Sequence, residues 1–385
     1  MTKMTARRLW LNIHLYLALT VGVALVVVAV SGSLLVWHDA VDRLLEPARY
    51  ATTGSELGLS NDEYLKVGAL ALEGVTPSVL RLPEHAGDPV TVAGPIPGTG
   101  MTGRAEMLTA WIDPPTGRVL HVANTSKSFT MVVHQLHGRL LIPEIGRKVV
   151  GWTGVFMLVL ALSGIYLWWP RGGIKFRRAL SWRKGLKTTT NLHHMFGIWI
   201  SIPLAVLSFT GIYISFPQTS RAVLANFVDL GQPEQGRGPG RNNAQPLTAT
   251  NLSVTEAVNQ ALAKSGGAQI LAINLPTDKS PEWRIQYKSP EGTPPQSVTV
   301  DEASGKVKGS DKKPVSDVAQ STQRLMRRIH DGTDMGIVWQ AIIFVGGILP
   351  LLFMITGVTM WLRRRSFERD SAQNRAASVA ARATS

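Results

Sequence analysis

"NLHHMFGIWISIPLAVLSFTG", residues 191–211, places two histidines at the start of a long apolar segment. That segment runs from 193 to 217 and contains no Asp, Glu, Lys or Arg. At a rise of 1.5 Å per residue, about twenty residues cross a hydrocarbon core of about 30 Å. The stretch therefore predicts a transmembrane helix with titratable side chains near one end.

Three further segments are also about twenty residues or longer and free of charged side chains. Together the four predict a membrane α-helical fold with transmembrane helices at 9–37, 149–169, 193–217 and 338–362. The first follows basic residues, as the apolar region of a signal peptide does. It is too long for such a region and no small-residue cleavage site follows it, so we interpret it as an uncleaved anchor.

Basic residues set the expected orientation. Sixteen Lys and Arg and two acids lie in the segments 1–8, 170–192 and 363–385. The net charge of these segments is therefore +14, which equals the net charge of the whole chain. The positive-inside rule places all three segments, and so both termini, on the cytoplasmic side. Segments 38–148 and 218–337 then lie outside. Because these basic residues flank spans, they suit anionic lipid headgroups, and nucleic acid is not an expected partner.

Four histidines mark an internal repeat. Each precedes a serine–glycine or threonine–glycine pair, and the spacing from histidine to glycine is eighteen residues in one set and twenty-seven in the other. The histidine–glycine pairs are His14–Gly32, His193–Gly211, His137–Gly164 and His330–Gly357. Equal spacings in both halves predict a duplicated unit of span, outer module and span.

The outer segments repeat in the same way. Residues 60–74 and 253–267 each predict a helix that begins at a polar cap (Ser60 or Asn61, and Ser253 or Thr255) with acids early in the helix. Alternating, strand-like stretches follow, with related turns at 113–119 and 301–307. The pattern predicts two α+β modules, and repeats of equal orientation imply a pseudo-twofold axis along the membrane normal. Residues 231–246 are predicted to be a linker.

The chain resembles the PepSY-associated transmembrane family of bacterial inner-membrane proteins. The resemblance lies in "NIHLYLALTVG" (12–22), "LHGRLL" (136–141), "NLHHMFGIW" (191–199) and "RIHDGTDMG" (328–336). In size and layout the chain is similar to the ferric-siderophore (ferrioxamine) reductases within that family. This resemblance implies an inner-membrane location, periplasmic PepSY-like modules at 38–148 and 218–337, and a ferric siderophore of the hydroxamate type as substrate.

The paired histidines suit haem b. Residues related by a twofold axis can face each other and place two imidazoles on opposite sides of one flat cofactor. We therefore predict two haems, one with the axial ligands His14 and His193 and one with His137 and His330. The chain has no cysteine, which excludes disulfides, thiolate metal sites and covalent haem attachment. Zinc and copper are disfavoured because neither pair has a third donor at ligand spacing.

Other histidines compete as ligands. His134 shares a helix face with His137, His194 directly follows His193, and His38 follows the first span, but none of the three matches a histidine in the other repeat. For a single histidine near the headgroups, an interfacial or hydrogen-bonding role is the ordinary alternative. Pro143 lies between His137 and its span, and Gly332 and Gly336 lie between His330 and its span. Both histidines are therefore expected on short segments over the helix bundle.

The expected function is that of an enzyme, a haem-dependent ferric-siderophore reductase that passes electrons across the membrane and releases ferrous iron, which oxygen donors hold weakly. No G-x-G-x-x-G motif follows a predicted strand, and no P-loop or H-E-x-x-H motif occurs. The electrons are therefore expected from a quinol or an unidentified protein donor. The alternative is a non-catalytic PepSY membrane protein that binds or regulates a periplasmic peptidase or another partner. The presence of haem separates the two.

Overall fold

The computed structural model describes residues 3–99, 105–170, 180–182, 185–227, 244–265, 269–288, 296–308 and 317–383. The chain divides into two compact units. The helix unit consists of Met1–Val36, Val133–Phe227 and Ser321–Ser385, and the sheet unit consists of Trp37–Val132 and Val228–Gln320.

The elements follow in this order. The helices are α1 (Lys3–Leu35), α2 (His38–Leu45), α3 (Asn61–Ala71), α4 (Phe129–Arg139), α5 (Gly146–Trp168), α6 (Thr188–Ser215), α7 (Pro217–Leu224), α8 (Val254–Ser265), α9 (Asp317–Asp331) and α10 (Gly336–Ala383). The strands are β1 (Val79–Arg81), β2 (Val90–Pro95), β3 (Met107–Ile112), β4 (Val119–Asn124), β5 (Ile270–Asn274), β6 (Glu282–Tyr287), β7 (Gln296–Asp301) and β8 (Val307–Lys308). Short 3-10 turns occupy Pro47–Tyr50 and Thr125–Lys127.

Four helices are long and apolar enough to cross a membrane, which agrees with the four predicted spans. These candidate spans are Ala6–Leu35, Gly146–Trp168, Thr188–Ser215 and Gly336–Ser378. The last helix continues far beyond the predicted end at 362, so most of the predicted basic tail is helical. Residues 363–383 contain neither Gly nor Pro and are rich in Ala, Arg and other good helix formers, which explains the continuation.

The long helices of the helix unit pack in a ring. The helix α1 contacts α5 and α10, and α6 contacts the same two. Small residues allow close approach, since a Cβ at Gly347 of α10 would meet the Ser33 side chain on α1. The Ser33 hydroxyl donates to the carbonyl of Phe344 across this contact, at 2.8 Å. Glycine therefore serves helix packing here.

Two short helices, α4 and α9, end just before the spans α5 and α10. Leu140, Leu141 and Glu144 have positive φ angles after α4, and Gly332 has a φ of +82° after α9. These left-handed residues stop each helix and redirect the chain. His137 and His330 accordingly lie on segments separate from the spans, as the intervening proline and glycines predicted, and both segments are short helices.

The sheet unit contains one antiparallel sheet of eight strands in the order β4-β3-β2-β1-β5-β6-β7-β8. Four strands come from each of the two predicted modules. The modules join through the pairing of β1 with β5, where Leu80 lies opposite Ile273 and both side chains are fully buried. The sequence predicted two modules, and this long-range pairing joins their strands in one sheet.

Helices cover each half of the sheet in the same way. The helix α3 packs on β2 and β3, and α8 packs on β6 and β7. The large buried side chain differs between the halves. In the first half the hydroxyl of Tyr64 on α3 donates to the carbonyl of Pro114, and in the second the indole N–H of Trp283 on β6 donates to the Glu302 carboxylate. Pro114 and Glu302 occupy the same position of the two related turns, so both aromatics anchor that turn.

Capping side chains fix the starts of both helices. Ser60 forms a capping box with Glu63 at α3, and Ser253 exchanges the same hydrogen bonds with Glu256 at α8. Asp62 on α3 also accepts from two backbone N–H groups at the start of α8, at 2.8 and 3.0 Å. Serine is therefore the cap at both predicted positions.

Candidate functional site

Two of the predicted ligands lie on long helices, His14 on α1 and His193 on α6, and we call them the span pair. Nδ1 of His14 lies 2.8 Å from Oγ of Ser163 on α5, and Nδ1 of His193 lies 2.9 Å from Oγ1 of Thr356 on α10. Each hydroxyl already donates to a backbone carbonyl of its own helix, at 3.1 and 2.8 Å respectively. Each hydroxyl must therefore accept from the imidazole, so Nδ1 carries the proton and Nε2 keeps its lone pair.

The other two predicted ligands lie on short helices, His137 on α4 and His330 on α9, and we call them the short-helix pair. Nδ1 of His137 lies 2.8 Å from the carbonyl oxygen of Val28 on α1. Nδ1 of His330 lies 3.1 Å from the carbonyl oxygen of Leu207 and 3.0 Å from Oγ1 of Thr210, both on α6. Because a carbonyl only accepts, Nδ1 carries the proton in both rings, and Nε2 again keeps its lone pair.

The structure brings the two rings of the short-helix pair together. Their centres are 6.0 Å apart, and their planes are inclined by 40°. Burial lowers the pKa of His137, and burial together with the neighbouring His137 lowers the pKa of His330 to about 4. Both imidazoles are therefore neutral at pH 7, which is the form that binds a metal ion.

Each of the four rings lies against a glycine that the spacing pattern marked. Within each half the contacts cross the spacing pairs. His14 lies against Gly164, the glycine paired with His137, and His137 lies against Gly32, the glycine paired with His14. A Cβ added at the glycine would approach the imidazole Cε1 to 2.7 Å at Gly32, 3.1 Å at Gly211, 3.6 Å at Gly164 and 3.7 Å at Gly357. Alanine thus fits beside the span pair and crowds the short-helix pair.

The alternative ligands lie elsewhere. His134 is exposed on α4, and His194 is half-buried on α6 beside His193. His38 is exposed at the start of α2 in the sheet unit, with Nδ1 3.3 Å from an Asp39 carboxylate oxygen. Within the described residues, no group of three or more His, Cys, Asp or Glu side chains is placed to hold a metal ion.

An apolar, open groove of about 440 Å³ adjoins His330 between α5, α6 and α9. It is lined by Leu162, Ile165, Ile202, Ala205, Val206, Phe209, Thr210, Met326 and Ile329. Thr210 also contacts His330, and Ile329 directly precedes it. The space next to His330 is therefore lined almost entirely by hydrocarbon.

Sequence reasoning did not identify the groups that hold the rings. Three of these groups directly precede a glycine of the histidine–glycine spacings, namely Ser163, Thr210 and Thr356. That position in the sequence could have indicated them as partners of the histidines. The carbonyls of Val28 and Leu207 carry no signal, because any residue supplies a carbonyl. Their role depends only on how α4 and α9 pack against the long helices.

Comparison with known proteins identifies one family. A family model described as "PepSY-associated TM region" matches residues 11–364. No curated protein matches the chain. The match begins within α1, ends within α10 and includes every strand, so it concerns nearly the whole chain.

Proposed function

The chain belongs to the PepSY-associated transmembrane family, and on that premise we propose that it carries electrons across the bacterial inner membrane through two b-type haems. The proposed acceptor is a ferric siderophore of the hydroxamate type in the periplasm. That the chain is a multi-pass membrane protein follows from the family together with the four apolar helices. The proposal adds the cofactor, the substrate and the orientation, with both termini in the cytoplasm and the sheet unit in the periplasm.

The observation that carries the proposal is the separation of the rings in the short-helix pair. Two imidazole nitrogens, each about 2 Å from one metal ion between them, place the ring centres about 6 Å apart. His137 and His330 have their ring centres 6.0 Å apart. This separation is compatible with two imidazoles that would hold one iron between them.

The hydrogen bonds of all four rings support the same assignment. A metal-ligating histidine almost always donates its other ring N–H to a nearby acceptor, which fixes the tautomer and the ring orientation. Here each Nδ1–H has an acceptor on a neighbouring helix, and each Nε2 retains the lone pair that a metal needs. The donor set is thus two neutral imidazoles per site, with no thiolate, which fits haem b.

The positions of the pairs along α1 support two separate centres. His14 lies on α1, and His137 is held at Val28, fourteen residues further along the same helix. Fourteen residues correspond to about 21 Å along a helix. A hydrocarbon core is about 30 Å thick. One haem near each face would therefore divide electron transfer across the membrane into shorter distances.

A haem held by these imidazoles would supply a one-electron couple. The protein's own residues hold the imidazoles in place and exclude water around them. One electron converts Fe³⁺ of the chelate to Fe²⁺, which hydroxamate oxygens hold weakly. The electrons would come from a quinol, which loses two electrons and two protons per two irons reduced, or from a protein donor. By the positive-inside rule the span pair faces that donor and the short-helix pair faces the chelate.

An absorption spectrum tests the cofactor. Protein purified from haem-replete cells should be red, and its dithionite-reduced spectrum should be that of low-spin, six-coordinate b-type haem, with a pyridine haemochrome value near two per chain. A colourless preparation would contradict the proposal and would favour the alternative, a non-catalytic PepSY protein that binds or regulates a periplasmic partner.

Anaerobic reoxidation tests the acceptor. Ferric hydroxamate added to dithionite-reduced protein should reoxidise both haems, and ferrozine should trap the ferrous iron. Haems that remain reduced in excess chelate would exclude this acceptor while leaving the cofactor assignment intact. In a variant that lacks only the span-pair haem, the chelate should still oxidise the remaining haem, but an inner-side donor should no longer re-reduce it.

A further inference from the structure

Three arginines lie around the short-helix pair. Arg139 follows His137 by two residues, Arg327 precedes His330 by one helical turn, and Arg147 stands in the first turn of α5. The start of α5 packs on the backbone of Arg139, since a Cβ added at Gly146 would lie 3.2 Å from the Cα of Arg139. Three separate elements, α4, α5 and α9, therefore bring a guanidinium to the same end of the helix unit.

Arg147 lies close enough to the other two arginines for their charges to act on it. The charges of Arg139 and Arg327 both act on the guanidinium of Arg147, and Arg147 also donates through Nη2 to the carbonyl of Ile214. In the part of the chain that the structure describes, no carboxylate lies within ion-pair distance of any of the three. The neighbouring Arg328 differs, because Asp334 lies 3.8 Å away.

Like charges near one another repel, and an anion placed among them relieves that repulsion. Guanidinium groups present planar pairs of N–H donors that match the two oxygens of a carboxylate or phosphate. We infer that Arg139, Arg147 and Arg327 form an oxyanion-binding site at the edge of the short-helix pair. The site takes a carboxylate or phosphate group rather than a neutral ligand.

Two sources supply this chemistry. One is the pair of propionate carboxylates of the haem proposed between His137 and His330, and this source rests on the proposed function. A porphyrin presents its apolar faces to apolar side chains and its propionates to the aqueous edge, where the three arginines are exposed. The other source is the phosphate of an anionic lipid, which basic residues at a membrane surface attract whether or not haem is bound.

The test uses the full-length protein with Arg139→Gln, Arg147→Gln or Arg327→Gln. Arg328→Gln is the matched control, because it removes the same charge one residue away from Arg327 at a side chain that has its own carboxylate partner. Circular dichroism and gel filtration establish that each variant folds. Arg→Lys at the same positions keeps the charge and should restore part of any lost binding.

The first arm follows haem. If propionates occupy the site, loss of one charge-assisted hydrogen bond should speed haem transfer to apomyoglobin about tenfold, and the midpoint potential of the short-helix haem should fall because a positive charge is lost. The second arm follows lipid in nanodiscs of phosphatidylcholine with or without phosphatidylglycerol. If a lipid phosphate occupies the site, the three variants should lose bound phosphatidylglycerol in native mass spectrometry while haem transfer stays unchanged.

Either result supports the oxyanion site and identifies its source. If all three variants match Arg328→Gln in both arms, the site does not exist. If the wild-type protein proves colourless, the proposed function fails and the propionate source fails with it. The lipid arm still decides the oxyanion site in that case, since it needs no haem.

Discussion

The span pair and the short-helix pair hold their imidazoles by different groups. Around His14 and His193 the acceptor is a side-chain hydroxyl, and the opposing glycines leave room for a methyl group. Around His137 and His330 the acceptor is a backbone carbonyl, helped at His330 by Thr210, and the glycines at 32 and 211 leave little or no room. Side chains therefore orient the first pair, and helix packing orients the second.

Because of this difference, a single substitution can remove the hydrogen-bond acceptor of the span pair but not that of the short-helix pair. A hydroxyl is lost with one substitution, whereas a backbone carbonyl stays unless the helix moves. The span pair should therefore respond to changes in its acceptors, and the short-helix pair should respond to changes in volume between its helices. Variants of matched size at equivalent positions distinguish the two cases.

The largest effect is expected from loss of a ligand. His14→Ala or His193→Ala should empty the span-pair site and keep the other haem, and His137→Ala or His330→Ala should do the reverse, so that about half of the haem remains in each variant. Pyridine haemochrome assay and redox titration measure this.

The control for ligand loss is His134→Ala, which changes an exposed residue on the same helix as His137. It should retain both haems. If His134→Ala empties a site and His137→Ala does not, the ligand assignment on α4 is wrong.

The next effect is expected from added volume. Gly32→Ala places a methyl group 2.7 Å from Cε1 of His137, so the ring or α4 must shift, at a cost of about 1–3 kcal/mol. The short-helix haem should be lost more readily on heating. Gly164→Ala is the matched control, since its methyl group would lie 3.6 Å from His14 and alanine favours helix. Equal thermal loss of haem in both variants would contradict the comparison.

A smaller effect is expected from loss of a hydroxyl acceptor. Ser163→Ala removes the partner of His14 Nδ1, and a comparable loss beside a metal ligand lowers affinity about 10–100-fold. Haem transfer to apomyoglobin should speed up for the span-pair haem alone, with Thr356→Val giving the same result at His193. If the haem at the short-helix pair dissociates faster instead, Ser163 and Thr356 do not act on the span-pair haem and their assignment to that pair is wrong.

The smallest effect is expected at Thr210. Thr210→Val removes one of two acceptors for His330 Nδ1, and the carbonyl of Leu207 still accepts. The free energy of haem binding at this pair should therefore weaken by about 0.5–1.5 kcal/mol. Ser31→Ala is the matched control at the equivalent position of α1, where the hydroxyl bonds its own helix. It should leave haem retention unchanged. A loss at Thr210 as large as that at Ser163 would show that the carbonyl of Leu207 contributes nothing.

Much of the architecture was predictable from local pattern. Uninterrupted apolar runs predicted the four long helices, because length and lack of charge are properties of a contiguous segment. A polar cap candidate with acids early in the following pattern predicted the starts of α3 and α8. Pro143 and Gly332 predicted that His137 and His330 would lie on short segments separate from the spans. The end of α10 was missed, because charge alone does not stop a helix that lacks Gly and Pro.

The sequence by itself determined the four apolar helices, the two related α+β patterns and the four histidines at matching spacings, because each depends on residues close together in the chain. Tertiary structure alone decided that β1 pairs with β5 to merge the modules into one sheet, and that His137 and His330 meet with their ring centres 6.0 Å apart. It also decided which group accepts each Nδ1–H. Contacts between residues 109 to 163 positions apart depend on how helices pack, and a carbonyl acceptor leaves no trace in residue type.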